Sequence, residues 1–135
     1  MTDCSFCEIA AGRAPRILVE EDDRVVAFLD INPATRGHLL VVPKAHSDDL
    51  RVTEPEDLAA AMLMVQDLSR RVTDRLGADG VNLISCMGGH AWQSVFHTHL
   101  HVVPRYAGDP LVLPWQPDVR GDLDEIRATA EKLAE

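Results

Sequence analysis

Apolar residues recur every three to four positions from Pro55 to Leu76, the spacing that places them on one face of an α-helix. Both ends of this segment carry local signals. Thr53 and Glu56 have the spacing of a capping box, which favours a helix start. Pro55 suits a first helical turn, and Gly77 is a typical residue at which a helix ends. The pattern therefore predicts one main helix over Pro55–Leu76.

Short apolar runs elsewhere in the chain predict β-strands, because they are rich in Val, Leu and Ile and are bounded by turn residues or proline. The first two runs flank a short acidic turn, which favours antiparallel pairing. A weakly amphipathic segment at 123–133 predicts a final helix. The predicted strands are 17–19, 25–29, 39–42, 81–86 and 95–103. This content predicts an α+β domain with a five-stranded antiparallel sheet and the main helix on one face.

The length and charge of the chain limit the classes of protein to which it can belong. Its 135 residues fit a single domain spanning 1–135, and 46% hydrophobic residues is ordinary for a globular protein. No window is apolar enough for a membrane span, and residues 1–4 lack the features of a secretory signal, so we expect a cytoplasmic protein without a membrane partner. The net charge of −9 disfavours nucleic acid, although a pocket can still hold a small phosphate ester.

Three histidines alternate with other residues at 97, 99 and 101. On a strand this spacing projects His97, His99 and His101 to one side, while Phe96 and the residues at 98, 100 and 102 face the core. The histidines could decorate a solvated sheet face, or they could form a metal site. About 13 Å between the outer two Cα atoms makes one shared ion strained. Strict alternation of three imidazoles is better explained by chemistry than by packing.

Cys4 and Cys7 form a C-x-x-C pair, and Cys86 leaves an odd total of three cysteines. In a cytosolic chain this spacing indicates metal or redox chemistry before a structural disulfide. The alternative is a pair of buried thiols with no ligand.

Four segments surround these residues in a specific order, and together they resemble the histidine triad family, in particular its Hint-like and bacterial zinc-containing branch. The family signature is His-x-His-x-His followed by apolar residues. The supporting segments are Cys-Ser-Phe-Cys-Glu-Ile at 4–9, Phe-Leu-Asp-Ile-Asn-Pro at 28–33, Gly-His-Leu-Leu-Val-Val-Pro-Lys-Ala-His at 37–46, and 93–105 with the three histidines. The resemblance covers most of the chain and implies the histidine triad fold.

The resemblance implies a nucleotide hydrolase or transferase, similar to purine nucleoside phosphoramidases, in which His99 attacks the α-phosphorus and forms a covalent nucleotidyl-histidine. Neutral imidazole is nucleophilic and leaves readily from phosphorus, so two easier displacements replace a hard one. The resemblance also implies that His101 contacts the phosphate oxygens, that Gln93 and Ser94 lie beside the phosphate and leaving group, and that His38 supports the triad.

The family pattern implies further ligands. Asp30 falls where the family binds the ribose hydroxyls of a purine nucleotide such as an AMP derivative, although it could equally be a turn residue at a strand end. Phe28 and Ile31 are implied nucleotide contacts beside it. The implied structural zinc would be held by Cys4, Cys7, His46 and His97, and His97 would then orient the strand beside His99.

The family branch also forms homodimers, and the apolar segment 111–115 fits such an interface or packing on its own domain.

Three residues depart from the family pattern. Trp92 stands where a glycine usually precedes the glutamine, Cys86 replaces a common asparagine, and His90 is an additional histidine. These departures bear on substrate choice. A nucleotide-binding scaffold with little turnover and a dinucleoside polyphosphate hydrolase remain alternative functions.

Overall fold

The computed structural model describes residues 4–134 of the chain. Residues 1–3, which carry part of the expectation that no secretory signal is present, lie outside the described residues, as does residue 135. Among the described helices, none has the length and apolar character needed to cross a bilayer. The elements in chain order are α1 (Ser5–Ala10), β1 (Leu18–Glu21), β2 (Val25–Leu29), β3 (Leu39–Pro43), α2 (Pro55–Leu76), β4 (Gly80–Ile84), β5 (Leu100–Arg105) and α3 (Leu123–Ala134).

The five strands form one antiparallel sheet, as the sequence predicted, and the structure gives their order as β1-β2-β3-β5-β4. Two strands end later than predicted because they include a proline. Pro43 pairs with Val25, and Pro104 pairs with Val81, both beyond the point where the pairing of β3 with β5 has ended. Proline is tolerated there because one edge of each strand has no partner to lose.

The sheet is covered on both faces. Along β2, Val25 and Ala27 belong to the core that packs against α2, whereas Val26 and Phe28 belong to the core against α1. Alternate residues of a strand face opposite sides, so both sets are buried. Cover on both faces explains why β2 and β3 are continuous apolar runs rather than alternating ones. The functional residues lie on the α1 face.

The predicted main helix is confirmed over Pro55–Leu76, and Gly77 ends it with a left-handed φ of 70°. The predicted capping box is wrong. Glu54, not Thr53, occupies the N-cap position and makes no side-chain cap. The Thr53 hydroxyl instead donates to the carbonyl of Asp49 and contacts the Ser47 and Thr98 hydroxyls. Tertiary partners have therefore outcompeted the local cap.

The fifth strand begins at Leu100, not at residue 95 as predicted, and 95–99 are irregular. The expectation that Phe96 is a core residue is also wrong, since it is 52% exposed. A different contact fixes this segment. The Thr98 amide donates to the Ser47 carbonyl, and its hydroxyl lies 2.8 Å from the Ser47 and Thr53 hydroxyls. Bonds to the 47–53 segment thus replace a sheet ladder.

The remaining elements match the predicted order with shifted ends. β1 runs to Glu21 and β4 ends at Ile84, whereas α1 spans Ser5–Ala10. The predicted last helix is present as α3. Every described residue from 110 onward is exposed in the single chain.

Candidate active site

The three histidines of the motif line the α1 face of the sheet near the start of β5. His97 is fully buried and His99 is 7% exposed, which excludes a solvated sheet face. The ring of His99 meets the ring of Phe6 from α1 edge-on at 4.9 Å and lies 5.0 Å from the ring of His101. Helix α1 therefore covers the histidines and removes them from water.

A pocket of about 680 Å³ opens beside two of these histidines. Sheet order explains its composition, because β5 lies between β3 and β4. The end of β2 contributes to the pocket on one side of β5, and the loop after β4 contributes on the other. The walls include Phe28, Asp30, Ile31, Cys86, Trp92, Ser94, His99 and His101.

Hydrogen bonds assign the tautomer of His99. Its Nδ1 lies 2.7 Å from the carbonyl oxygen of His97, and a carbonyl only accepts, so Nδ1 carries the proton. Nε2 is then an unprotonated lone pair, and no group within 4–134 forms a hydrogen bond with it. His99 thus lines the pocket as a neutral imidazole with a nucleophilic nitrogen available.

His38 assigns the tautomer of His101. The amide of Ala34 donates to His38 Nδ1 at 3.0 Å, so the His38 proton is on Nε2. His38 Nε2 donates to His101 Nδ1 at 2.9 Å. His101 therefore carries its own proton on Nε2, as a donor for an oxygen in the pocket. The predicted supporting role of His38 matches this geometry.

Burial keeps these histidines neutral. Loss of hydration lowers the pKa of His38, His97 and His99 from the ordinary 6.5, and Asp30 or a backbone carbonyl opposes the shift only in part. The pKa of His101 falls to about 4, because burial is reinforced by the nearby His99 and His38 rings. At neutral pH the site therefore presents one imidazole nucleophile and one imidazole donor, both uncharged.

The loop before the histidines places its polar residues differently. Ser94 is exposed and lines the pocket. Gln93 is 6% exposed and is not a pocket wall. Its carbonyl oxygen accepts from the Gly88 amide, and its amide nitrogen donates to the carbonyls of Asp48 and Val95. The Gln93 side chain thus holds the loop, and its predicted contact with nucleotide stays a prediction.

The predicted nucleotide contacts surround the other side of the pocket. Phe28 is buried, whereas Ile31 is 80% exposed and presents an apolar surface at the rim. Asp30 accepts from the Asn32 amide through Oδ1, so it does shape a turn. Its Oδ2 lies 3.6 Å from His38 Nε2, and Asp30 also lines the pocket. The turn role and a ligand role are therefore compatible.

The four predicted metal ligands form one cluster at the end of α1. Each offers a donor atom, and all four atoms lie within 4.8 Å of one another: Cys4, Cys7, His46 and His97. The Nδ1 atom of His97 is 3.2 Å from Cys4 Sγ, 3.4 Å from Cys7 Sγ and 3.2 Å from His46 Nδ1. Tetrahedral zinc ligands are separated by about 3.3–3.8 Å, so the donor set has the right size.

The tautomers of the two cluster histidines would suit a metal ion between them. His97 Nε2 donates to the Pro43 carbonyl at 2.7 Å, and His46 Nε2 lies 3.2 Å from the Asp48 carboxylate. Both Nδ1 atoms are then lone pairs, and they face each other. A metal ion would satisfy both lone pairs, as would the thiol protons of Cys4 and Cys7, whose Sγ atoms lie 3.2 Å from His97 Nδ1 and 3.4 Å from His46 Nδ1. Carbonyl and carboxylate partners of this kind typically orient metal-bound histidines.

Other residues at the site escaped sequence reasoning. Phe6 packs on the histidines and Thr98 anchors their backbone, but neither has a chemical signal in the sequence. Trp92 was noted as a departure, yet its left-handed φ of 74° was not expected. A tryptophan in place of a glycine was the available signal. His90 is exposed and is not a pocket wall, and Cys86 is half-buried in the wall.

A second set of titratable groups, Asp30, His38 and His101, also has its donor atoms within 4.8 Å of one another. The hydrogen bond between His38 and His101 already uses the facing nitrogens. These groups therefore support the His101 ring, and the hydrogen bond from His38 holds its tautomer.

Comparison with known proteins relates the fold and site to solved structures. A Streptococcus mutans protein aligns with a TM-score of 0.92 at 36% identity, covering 99% of this chain and 85% of that one. A zinc-bound histidine triad family protein from Mycobacterium smegmatis has a TM-score of 0.78 at 42% identity and covers 98% of this chain and 96% of that one. The predicted fold is confirmed.

Sequence relatives lead to the same family. A HIT-like protein of Methanocaldococcus jannaschii is 42% identical over 91% of this chain and 95% of its own length. The adenylylsulfatase HINT3 of Arabidopsis thaliana is 39% identical over 81% of this chain and 55% of its own length. The HIT domain model matches residues 11–108, which include all three triad histidines. The chain therefore belongs to the HIT domain family, as the resemblance to histidine triad proteins indicated.

Proposed function

We propose that this protein cleaves nucleoside monophosphate derivatives, such as adenosine phosphoramidates or acyl-adenylates, through a covalent nucleotidyl-His99. The main support is the tautomer of His99, which leaves Nε2 unprotonated beside the pocket. Membership of the HIT family supports a nucleotide hydrolase or transferase in general. The bond cleaved and the intermediate are the proposed parts.

In the first step, the Nε2 lone pair of His99 attacks the α-phosphorus, and the bond from phosphorus to the leaving group breaks, with an amine leaving group taking up a proton from water. Imidazole must be neutral to attack, and the burial that lowers the pKa of His99 favours that form. The carbonyl of His97 stabilises the imidazole as it becomes positive, because it accepts from Nδ1–H. Asp30 would accept hydrogen bonds from the ribose hydroxyls and so fix the position of the phosphorus atom.

Charge on the phosphate oxygens is met by donors that are already in place. His101 presents Nε2–H because His38 donates to its Nδ1, and Ser94 supplies a hydroxyl in the pocket wall. Fixed donors lower the barrier, since they need no rearrangement as charge develops. In the second step, water attacks phosphorus and gives up a proton to solvent, the bond to Nε2 breaks, and the nucleoside monophosphate is released from neutral His99.

Mass spectrometry of protein quenched during turnover of an adenosine phosphoramidate tests this proposal. We expect an added AMP group on His99 in the wild type, and no adduct with His99→Ala. Thr129→Ala is a matched control, because Thr129 lies in the exposed helix α3. Equal hydrolysis by wild type and His99→Ala would refute the nucleophile. Nucleotide binding without any adduct or turnover would favour the scaffold alternative.

We also propose that the cluster of Cys4, Cys7, His46 and His97 holds a structural zinc ion. Two thiolates and two imidazoles form a complete tetrahedral set without an open catalytic position. The cysteines must stay reduced for this purpose, which fits the predicted cytoplasmic location. The ion would tie α1 to the triad, since the His97 side chain is a ligand while its carbonyl orients His99.

A homodimer is the proposed assembly. The edge strand β4 exposes Leu83 and Ile84, each by more than 40%, and the tail exposes Val112, Leu113 and Trp115 by 59–86%. Exposed apolar groups in such number are typical of a surface that another chain covers. Sedimentation at micromolar concentration should give twice the 14.9 kDa chain mass; a single-chain mass would contradict the proposal.

A further inference from the structure

Trp92 has an unusual backbone conformation at the mouth of the pocket. Within residues 4–134 it is the one non-glycine residue with a positive φ, at φ 74° and ψ 16°. A bulky side chain in the left-handed region is strained, because its Cβ crowds the following carbonyl. Glycine adopts this conformation at no such cost. The tryptophan therefore occupies a position whose backbone conformation favours glycine.

The indole of Trp92 gains no hydrogen bond and no ring contact in the described chain. It is 76% exposed, and residues 4–134 provide it with no hydrogen bond and no aromatic partner. Its ring nevertheless forms part of the wall shared by Ser94 and His99. An exposed tryptophan is a large apolar surface with one polar group, which is suited to contact a ligand.

The loop holds Trp92 firmly. The amide of Trp92 donates to the Gly89 carbonyl, and the next amide, of Gln93, donates to the Gly88 carbonyl. The Gln93 side chain then fastens the loop to Gly88 and to Asp48. The backbone of Trp92 is consequently fixed at the mouth of the pocket, so only the side-chain torsions of the indole have to be ordered when it stacks on a ligand.

Sheet order decides which part of a substrate lies beside this residue. Asp30 follows β2, Trp92 follows β4, and β5 with His101 lies between them in the sheet. If the nucleoside lies toward Asp30, the substituent on the far side of phosphorus points toward Trp92. That substituent is the leaving group, because the other two groups on the α-phosphorus are single oxygen atoms.

We infer that Trp92 is a specificity residue that stacks on a flat aromatic part of the leaving group. The inference rests on the proposed function and names the substrate class: nucleoside phosphoramidates whose amine carries an aromatic ring a few atoms from nitrogen. Stacked or edge-to-face rings gain about 2- to 12-fold in binding beyond the area that they bury. The contact exists before and during the reaction, so it lowers KM and leaves kcat nearly unchanged.

The test compares adenosine 5′-phosphoramidates of 2-phenylethylamine and 2-cyclohexylethylamine. Both amines have the same linker and similar basicity, so the chemical step is matched and only the ring differs. We expect the wild type to prefer the phenyl substrate about 2- to 12-fold in kcat/KM. Trp92→Phe should keep part of the preference, whereas Trp92→Leu and Trp92→Gly should bring the ratio close to 1.

His90→Ala is the matched control, because His90 lies in the same loop but is not a pocket wall. It should keep the wild-type ratio. A structural role of Trp92 would lower the rates for both substrates equally, so an unchanged ratio in Trp92→Leu would overturn the inference even if the rates fall.

Binding separates failure of the inference from failure of the proposed function. If no phosphoramidate is hydrolysed, the proposed function fails, and calorimetric Kd values for the two compounds then replace kcat/KM. A phenyl preference in Kd that Trp92→Leu abolishes would still support stacking. Equal Kd values, or no binding of either compound, would overturn it.

Discussion

Replacement of His38 by leucine should disable His101 without removing it. His38 is 7% exposed and bridges two groups: it accepts from the Ala34 amide through Nδ1 and donates to His101 Nδ1 through Nε2. Leucine fills a similar space but offers neither function. The ring proton of His101 can then move to Nδ1, because Nδ1 no longer accepts a hydrogen bond from residue 38. Nε2 would face the phosphate as a lone pair.

The size of the effect follows from the hydrogen bond that is lost. A hydrogen bond to a charged group contributes about 1.5–3 kcal/mol, which is roughly 10- to 100-fold in rate when the charge develops in the transition state. We therefore expect His38→Leu to lower kcat/KM for an adenosine phosphoramidate by 10- to 100-fold. Ala34 is exposed, so water can replace the lost bond to its amide, and the free energy of unfolding should fall by no more than about 1 kcal/mol.

His38→Gln is the matched control. Its amide oxygen can accept from Ala34, and its amide nitrogen can donate to His101, so both functions of the imidazole survive. Activity should recover to within a few-fold of the wild type. Steady-state kinetics should be measured at a temperature where circular dichroism shows all three proteins folded, which separates the loss of rate from the loss of stability.

Nitrogen NMR of the imidazoles provides a direct check, because the shifts of Nδ1 and Nε2 identify the protonated atom. In the wild type, His101 should carry its proton on Nε2, and in His38→Leu that preference should weaken. A folded His38→Leu protein with wild-type kcat/KM would refute the argument that His38 sets the His101 tautomer for catalysis.

Three further outcomes are expected. Cys7→Ser should remove bound zinc, measured by elemental analysis, and lower the free energy of unfolding by about 3 kcal/mol when zinc is present at 100 times its Kd; Cys86→Ser should keep the metal, and equal zinc in both variants would contradict the site. Thr98→Val should cost about 1 kcal/mol in urea unfolding, because it removes the hydrogen bonds of a buried hydroxyl while Ser47 and Thr53 stay paired with each other, whereas the exposed Thr129→Val should change little. The pKa of His101 is about 4 in the fold against 6.5 ordinarily, so the unfolded chain binds more protons between these values. The contribution of His101 to the free energy of unfolding should therefore be fully present above pH 6.5. The free energy should fall by up to about 3 kcal/mol as the pH is lowered toward 4. His101→Asn should reduce the dependence of the free energy of unfolding on pH. An equal dependence in both proteins would count against the lowered pKa of His101.

Local sequence signals determined several elements of this protein well. The main helix was predicted at its observed bounds, because the 3.6-residue period and Gly77 act within the helix itself. The antiparallel sheet followed from apolar runs and short acidic turns. The sequence also named the candidate site, since three alternating histidines and a C-x-x-C pair are rare without a chemical reason.

Tertiary structure decided what depends on distant partners. The strand expected from residue 95 begins only at Leu100, because Thr98 bonds to residues some fifty positions away. Thr53 does not cap the main helix as predicted, because its hydroxyl contacts the same set of hydroxyls instead. A local pattern states what a segment can form alone, but a buried polar group takes the partner that satisfies it best.

The chemistry of the site divides in the same way. The sequence alone identified His38, His99 and His101 as candidates, and their roles stay predictions. The protonated nitrogen of each ring depends on a carbonyl or amide supplied by another part of the fold. The metal cluster likewise joins Cys4 to His97 across 93 positions. Residue types are written in the sequence, but the direction of each hydrogen bond exists only once the chain has folded.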